Sequence, residues 1–529
     1  MNRFIQFGVI FWAATSIAAR AGVPPTLGFS EVSATAGVAT TQGLQFGPFG
    51  ETDMISGGVA GGDIDDDGWL DIIVLRGDLG PAMLYRNQGN GTFVNEAAVR
   101  GLNISGGVAN GVLLADLDGD NDLDVLVGGV YIADEGYISP PRLWRNDGSG
   151  HFSEDTAFMT SWDGFDSGSA ALGDADGDGD LDLAFGRWAK LAGSREHLFH
   201  NNGSSVFSPA DAISGLSGQF AAPIEHSFTP NFADIDGDGD ADLLYTGDFS
   251  TSRVFLQQPG GVFSNATTAV ISDENGMGAA VADYDNDGDL DWFVSSIHDP
   301  GTPGGNWGTS GNRLYRNDGG GTFSDVTDAA GVRQGYWGWG SCFADFNADG
   351  WLDLFMVNGM IGPTAALFNN DPARLFMSNA DGTFNEQASA LGVADTGQGR
   401  GIVCMDYDRD GDIDILVQNT YGATRLFRND MIGATRTLSV RLRGATQNQR
   451  GIGARIWMTA SSSTQMREMA AGSNYLSNNP AEVIFGVGAT NRYDRVRVRW
   501  PGGSESVAGY RAGLARDISI ETIFVDSVD

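Results

Sequence analysis

A chain of 529 residues is too long for one ordinary compact core unless it closes on itself as a repeat array. A hydrophobic fraction of 41% and 54 aromatic residues (30 Phe, 12 Trp, 12 Tyr) exclude bulk disorder despite a formal charge of −37. The 77 glycines follow no G-X-Y period, which excludes collagen and points to many tight turns between short strands.

Met1 to Ala21 reads as a secretory signal peptide. Arg3 supplies the positive start, Phe4 to Ala19 is mostly apolar, and Ala19-Arg20-Ala21 gives the small-x-small cleavage pattern. A membrane anchor is the alternative, but the apolar stretch is short for a span of about 20 residues. The expected localisation is therefore secreted, periplasmic or cell-surface.

Residues 22–432 are organised by a sevenfold repeat of D-x-[D/N]-x-D-[G/N]-x-x-D. Counting positions 1, 3, 5 and 9, the first loop offers Asp63, Asp65, Asp67 and Asp71, and the second Asp116, Asp118, Asp120 and Asp124. The third offers Asp174, Asp176, Asp178 and Asp182; the fourth Asp234, Asp236, Asp238 and Asp242; the fifth Asp283, Asp285, Asp287 and Asp291. The sixth has Asp345, Asn347, Asp349 and Asp353, and the seventh Asp406, Asp408, Asp410 and Asp414. These windows hold 33 of the 68 acids, so the acidity is placed rather than scattered.

Each window follows a small-residue apolar run and precedes a β-rich run. A strand of the form Leu-aromatic-x-Asn comes next, as in Leu84-Tyr85-Arg86-Asn87, then a glycine-rich turn and a strand opening on phenylalanine. Four short antiparallel strands per repeat make one propeller blade. Six repeats carry their own phenylalanine strand, and the seventh copy stands at the other end of the chain, at Phe29-Ser30-Glu31-Val32. The expected fold is all-β: a seven-bladed β-propeller zipped shut by an N-terminal strand.

In extended chain, positions 1, 3 and 5 converge on one side, and position 6, glycine or Asn121, permits a sharp turn. Hard carboxylate oxygens in such number suit Ca²⁺, which takes 6–8 oxygen ligands, better than Mg²⁺, which keeps its waters. Up to seven structural Ca²⁺ ions are expected. The two cysteines, Cys342 and Cys404, could form one bridge. Both sit in apolar runs ahead of acidic loops, and buried free thiols are the preferred reading.

Residues 436–525 change character. Residues 1–430 hold 60 acids and 19 bases, whereas residues 431–529 hold 8 acids and 12 arginines, so net charges of −41 and +4 sum to −37. Alternation in Leu438-Ser439-Val440-Arg441-Leu442-Arg443 and Val496-Arg497-Val498-Arg499-Trp500 predicts a half-buried antiparallel sheet in a small sandwich-like β domain. Its arginines form either a solvated face or a surface docked on the acidic propeller. The acidic balance excludes nucleic acid as a partner.

Strand order puts the acidic loops and the Asn-Asp-Gly turns on one face of the ring. The long segments 128–141, 295–312 and 357–373 lie on the other, where recognition is expected. The channel rim there collects Trp162, Asp163, Glu225, His226, Tyr336, Trp337, Trp339 and Arg400. Of these, Tyr336, Trp337 and Trp339 suit either a ligand floor or packing between blades, and His226 beside Glu225 is the best acid–base candidate. H-E-x-x-H, G-x-S-x-G, C-x-x-C and P-loop signatures are absent.

With their flanking strands, the loops resemble the FG-GAP/VCBS-type calcium repeats of integrin α-subunit propellers. That resemblance implies metal ligation by the side chains at positions 1, 3, 5 and 9 and by the backbone carbonyl at position 7. The strings Gly451-Ile452-Gly453-Ala454-Arg455-Ile456, Ala471-Gly472-Ser473-Asn474-Tyr475-Leu476-Ser477, Phe485-Gly486-Val487-Gly488 and Val498-Arg499-Trp500-Pro501-Gly502-Gly503 resemble the ASPIC/UnbV domain. Two functions fit these features. The favoured one is a secreted calcium-binding propeller that binds a protein or glycan through the loop face. The other, implied by the link of the UnbV name to enediyne biosynthesis, is a channel-mouth enzyme that cyclises or rearranges a polyketide-like small molecule.

Overall fold

The computed structural model describes residues 27–521, apart from 43–54, 77–79, 106–108, 130, 133–136, 163, 165–166, 189–195, 221–225, 300, 302–306, 362–364, 432–436, 445–446, 461–462, 473, 489–492 and 510–516. The predicted signal peptide lies outside the described residues.

Seven sheets of the same plan follow one another along the chain. In the first blade the strands are Val59–Gly62, Asp71–Val74, Met83–Asn87 and Phe93–Asn95, all antiparallel in chain order. The same order recurs in blades two to six, whose innermost strands are Ala109–Ala115, Ala170–Gly173, Ser227–Ala233, Ala279–Ala282 and Gly338–Ala344. The seventh blade has Gln398–Met405, Asp414–Thr420 and Arg425–Asn429, and its outer strand is the N-terminal Phe29–Glu31, with Phe29 opposite Asn429. Each innermost strand packs on the next, and the seventh returns to the first, so the sheets form a closed ring. Closure gives the seventh blade its outer strand and leaves the innermost edges facing the channel.

Apolar alternation fills the spaces between blades. Ile73, Leu84, Leu114, Val125 and Trp144 share one cluster between the first two blades, and Val59, Ile72, Tyr85, Val403 and Leu416 share another across the seam. The second of these clusters shows that the N-terminal closure is packed as well as paired.

The cysteines correct the sequence reading. Cys342 and Cys404 form a disulfide with Cα atoms 6.8 Å apart, and no cysteine is free. They lie on the innermost strands of the sixth and seventh blades, which are neighbours in the ring, and 6.8 Å is within the span a disulfide reaches.

Residues 437–521 form a sandwich. One sheet pairs Thr437–Arg443 with Val483–Gly486 and, in parallel, with Asp517–Glu521. The other runs Ser463–Glu468, Arg455–Ala460, Arg495–Arg499, Glu505–Gly509. Leu438, Val440, Ile456, Met458, Val496 and Val498 meet between them, and the same apolar cluster continues into Leu117, Leu172 and Leu181 of the propeller. The domain is therefore seated on the ring, on the face of the acidic loops. Close approach is built in: a Cβ on Gly486 would lie 2.0 Å from Asp345 Oδ2.

One segment of this domain enters the ring. The Leu172 N–H donates to Ala471 O, the Val112 N–H to Leu476 O, and the Leu476 N–H to Ser169 Oγ. Ser477–Asn478 adds a parallel strand to Val59–Ala60. Tyr475, 1% exposed, crosses the channel, and its hydroxyl donates to Ile55 O at 2.9 Å.

Candidate metal centres

Every acidic loop is shaped by its own first and last aspartate. In six loops the position-6 N–H donates to the position-1 carboxylate: Gly68 to Asp63, Asn121 to Asp116, Gly179 to Asp174, Gly288 to Asp283, Gly350 to Asp345 and Gly411 to Asp406, at 2.8–3.2 Å. The turn needs a left-handed residue there: the six glycines at this position have φ of 94–106° and Asn121 has 77°.

The position-9 aspartate ties the loop base to the third strand. Asp291 Oδ1 accepts the Asn317 N–H at 2.8 Å and Oδ2 the Tyr284 N–H at 3.2 Å. The same pair of bonds recurs at Asp71, Asp182, Asp242, Asp353 and Asp414.

Convergence follows. Donor atoms of Asp63, Asp65 and Asp71 lie within 4.8 Å of one another, as do those of Asp116, Asp118 and Asp120, of Asp174, Asp176 and Asp178, and of Asp234, Asp236 and Asp242. Burial pushes the position-1 carboxyls up, to about 6 for Asp63 and Asp174 and about 7 for Asp116, Asp283 and Asp345. At position 9, burial raises Asp71, Asp124, Asp182 and Asp242 to about 8 and Asp291 to about 9. Neighbouring carboxylates add to the shift in each loop, for instance Asp66 and Asp67 at Asp63.

The donor set fits a hard divalent cation. Buried carboxylate oxygens with no hydrogen-bond donor occur at position 3 in four loops (Asp65, Asp118, Asp285 and Asp408) and at position 1 in two (Asp283 and Asp406). A buried lone acceptor costs free energy unless something positive meets it, and these oxygens belong to the loop positions expected to hold a cation. Asn347 differs: its Oδ1 accepts the Asp349 N–H and its Nδ2 donates to Asp349 Oδ2.

Several residues beside the loops were not singled out from the sequence. Arg86 pairs with Asp65 and Asp67, and Arg145 with Asp118 and Asp124. In the third blade the corresponding side chain is His200, whose Nδ1 lies 3.3 Å from Asp176 Oδ2, while His197 turns instead to Asp211. The recurrent Leu-aromatic-x-Asn motif was the signal for a further role. Asn317 Nδ2 donates to Leu290 O of its own loop and to Ile235 O of the preceding blade's loop. Asn87, Asn146, Asn201 and Asn429 do the same, and Asn87 spans the ring seam to Tyr407 O.

The candidates at the channel rim have different fates. Glu225 and Asp163 lie outside the described residues, and Trp162 is half-buried. The His226 ring lies 4.7 Å from Phe249 and 5.9 Å from Trp188. Tyr336 has φ of 56° and faces Arg374. Trp337 packs on Trp307 and Phe368, and Trp339 donates to Gly359 O and packs on Tyr475. Arg400 is buried with its guanidinium 4.0 Å over the Trp339 ring, and burial lowers its pKa to about 10. Trp339 therefore packs on the inserted segment, and Trp337 on Trp307 and Phe368, instead of lining an open floor.

Comparison with known proteins agrees with the repeat. The model of the FG-GAP-like repeat matches residues 63–127, 130–185, 234–294, 304–356 and 364–447, and that of ASPIC and UnbV matches 444–513. Human cartilage acidic protein 1 is 27% identical over 209 residues, 37% of this chain and 30% of that protein. The mouse protein of that name is 28% identical over 170 residues, 31% and 25% respectively. The match thus spans under a third of these relatives' length. Among solved structures, the rhamnogalacturonan lyase YesW is similar at 15% identity and a TM-score of 0.39, over 70% of this chain and 71% of that one. YCF48 bound to D1 peptide is similar at 11% identity and 0.37, over 79% and 100%. With the FG-GAP-like model covering more than half of its residues, the chain belongs to the FG-GAP-like repeat family and carries an ASPIC and UnbV domain.

Proposed function

We propose that this chain is an exported, calcium-stabilised propeller that binds a protein or glycan through the face opposite its acidic loops. The single observation that carries the calcium reading is the set of buried, donorless oxygens at loop positions 1 and 3. Asp63, Asp65, Asp67 and Asp71, and their counterparts in the other loops, would hold the ion together with the position-7 carbonyl. Calcium supplies charge neutralisation there and locks each turn.

Binding is favoured over catalysis because Tyr475 and Leu476 occupy the channel where a substrate pocket would open. Rigid blades with variable loops are a common scaffold for recognition. Export is supported by the sequence of Met1 to Ala21, and no helix among the described residues is long and apolar enough to cross a membrane.

Elemental analysis of dialysed chain, with melting measured in calcium and in chelator, tests the metal. Bound calcium and a lower Tm in chelator are expected, and an unchanged Tm would reject the structural role. A glycan array and an array of extracellular-matrix proteins test the ligand. Retention on one of them, weakened by Phe249→Ala on the loop face, is expected; Phe249 is 61% exposed there.

A further inference from the structure

The fourth loop is built differently from the other six. Its first aspartate, Asp234, keeps the Gly237 N–H on Oδ1 at 2.8 Å. Its Oδ2, however, takes Arg499 Nη2, with Arg455 Nε 3.5 Å away. Among the described residues Gly239 makes no bond to Asp234, although the position-6 N–H closes every other loop on its first aspartate. The fourth loop, like the third and sixth, contributes none of the donorless carboxylate oxygens, and among the described residues only in the fourth are two arginines of the C-terminal domain set on the first aspartate.

The two arginines are held in register by the C-terminal sheet. Arg455 stands opposite Arg499 on one side and Glu468 on the other. Glu468 Oε2 lies 3.3 Å from Arg455 Nε and accepts the Asp234 N–H at 3.4 Å. Arg455, Asp234 and Glu468 are all buried, with side chains 6–7% exposed. Arg499 also reaches Gly237 O, inside the turn, at 3.4 Å. Such a pre-set row of charges matches the loop in shape as well as sign.

We propose that Arg455 and Arg499 are the cation of the fourth loop: the C-terminal domain supplies there the two positive charges that calcium supplies elsewhere in the ring. This rests on the calcium reading of the other loops. Asp234, Asp236 and Asp242 still converge, so calcium and the arginines compete for one carboxylate, and the fourth loop is the point at which metal and domain docking exclude each other.

The test is a calcium count per chain on intact protein equilibrated in buffered sub-millimolar calcium. Asp285→Ala, in the fifth loop, serves as the reference and should lose a single ion. Arg455→Ala/Arg499→Ala should gain a single ion, and adding Asp236→Ala to that variant should remove it again. Should the double variant fail to fold, Arg499→Gln should show the same gain at higher free calcium. A count unchanged by the arginine substitutions while Asp285→Ala loses its ion would overturn the inference and leave the calcium reading standing. A wild-type chain that binds no calcium would take down both.

Discussion

At the scale of single residues, the acidic loops contain two kinds of aspartate that look alike in the sequence. Asp291 is a brace as well as a candidate ligand, because both its oxygens accept backbone N–H groups, and Asp285 has a buried oxygen that no donor in the chain meets. Substitution should separate them. Asp291→Ala strands the buried N–H groups of Asn317 and Tyr284, and at about 1–3 kcal/mol for each stranded group it should lower stability by roughly 3 kcal/mol or more even in chelator, and further in calcium, where it also removes the position-9 ligand. Asp285→Ala removes a carboxyl whose pKa burial and the Asp287 charge hold up, so its loss relieves the metal-free loop. It should lower Tm in calcium and leave it unchanged or raise it in chelator. Urea unfolding of both variants in the two buffers checks this, and equal effects of Asp285→Ala in both would remove the case for a ligand at that oxygen.

At the scale of elements, the blades are stitched as well as packed. Each bridging asparagine joins its own loop to the loop of the preceding blade, whereas the fourth and sixth blades carry Gln257 and Ser378 at that place. Asn317→Ala takes the side-chain donor from Leu290 O and from Ile235 O, which keeps the Gly321 N–H at 3.1 Å, and should cost about 1–3 kcal/mol, read by urea unfolding, while Ser378→Ala should cost little. The disulfide is a second stitch. It links residues 62 positions apart, and by loop-closure entropy Cys342→Ser/Cys404→Ser should lose about 4 kcal/mol, seen as a lower unfolding midpoint without change in the calcium count. Much of this level was legible in the sequence: the spacing of the D-x-D-x-D windows marks the first turn of every blade, and Phe29-Ser30-Glu31 could be matched to Phe323-Ser324-Asp325. The bridge was missed although repeat alignment held the clue, since Cys342 and Cys404 stand two or three residues ahead of consecutive loops and so on neighbouring strands. Contacts such as Arg499 to Asp234, 265 residues apart, had no local signal, because alternation tells which face an arginine takes and not what covers it.

At the scale of the whole molecule, a ring of carboxylates beneath a basic domain should make stability depend on pH in opposite ways in calcium and in chelator. In chelator five position-1 carboxyls (Asp63, Asp116, Asp174, Asp283 and Asp345) are raised to about 6–7 and five at position 9 (Asp71, Asp124, Asp182, Asp242 and Asp291) to about 8–9. A folded-state pKa above the unfolded value of about 3.9 means that the native chain binds protons more tightly than the unfolded one. That contribution is complete below the unfolded value and is lost as pH rises through the folded one. Metal-free chain should therefore lose Tm steadily from about pH 5 to about pH 9, as one loop after another is forced to ionise without a counter-charge. Calcium bound as proposed should reverse the sign: protons would compete with it for the same oxygens, so deprotonation should strengthen binding and the ion-bound chain should gain stability over the same interval. The two melting curves should converge toward low pH, where protonated loops bind no metal, and diverge above neutrality. The arginines of the C-terminal domain blunt the contrast, since Arg467 lies within reach of the charges of Asp283 and Asp345 and gains attraction as they ionise, but it cannot offset five carboxylates crowded into the fifth loop alone. Parallel curves in calcium and chelator would mean that the loop carboxylates are balanced by the protein itself, and the ring would then need no metal to hold its shape.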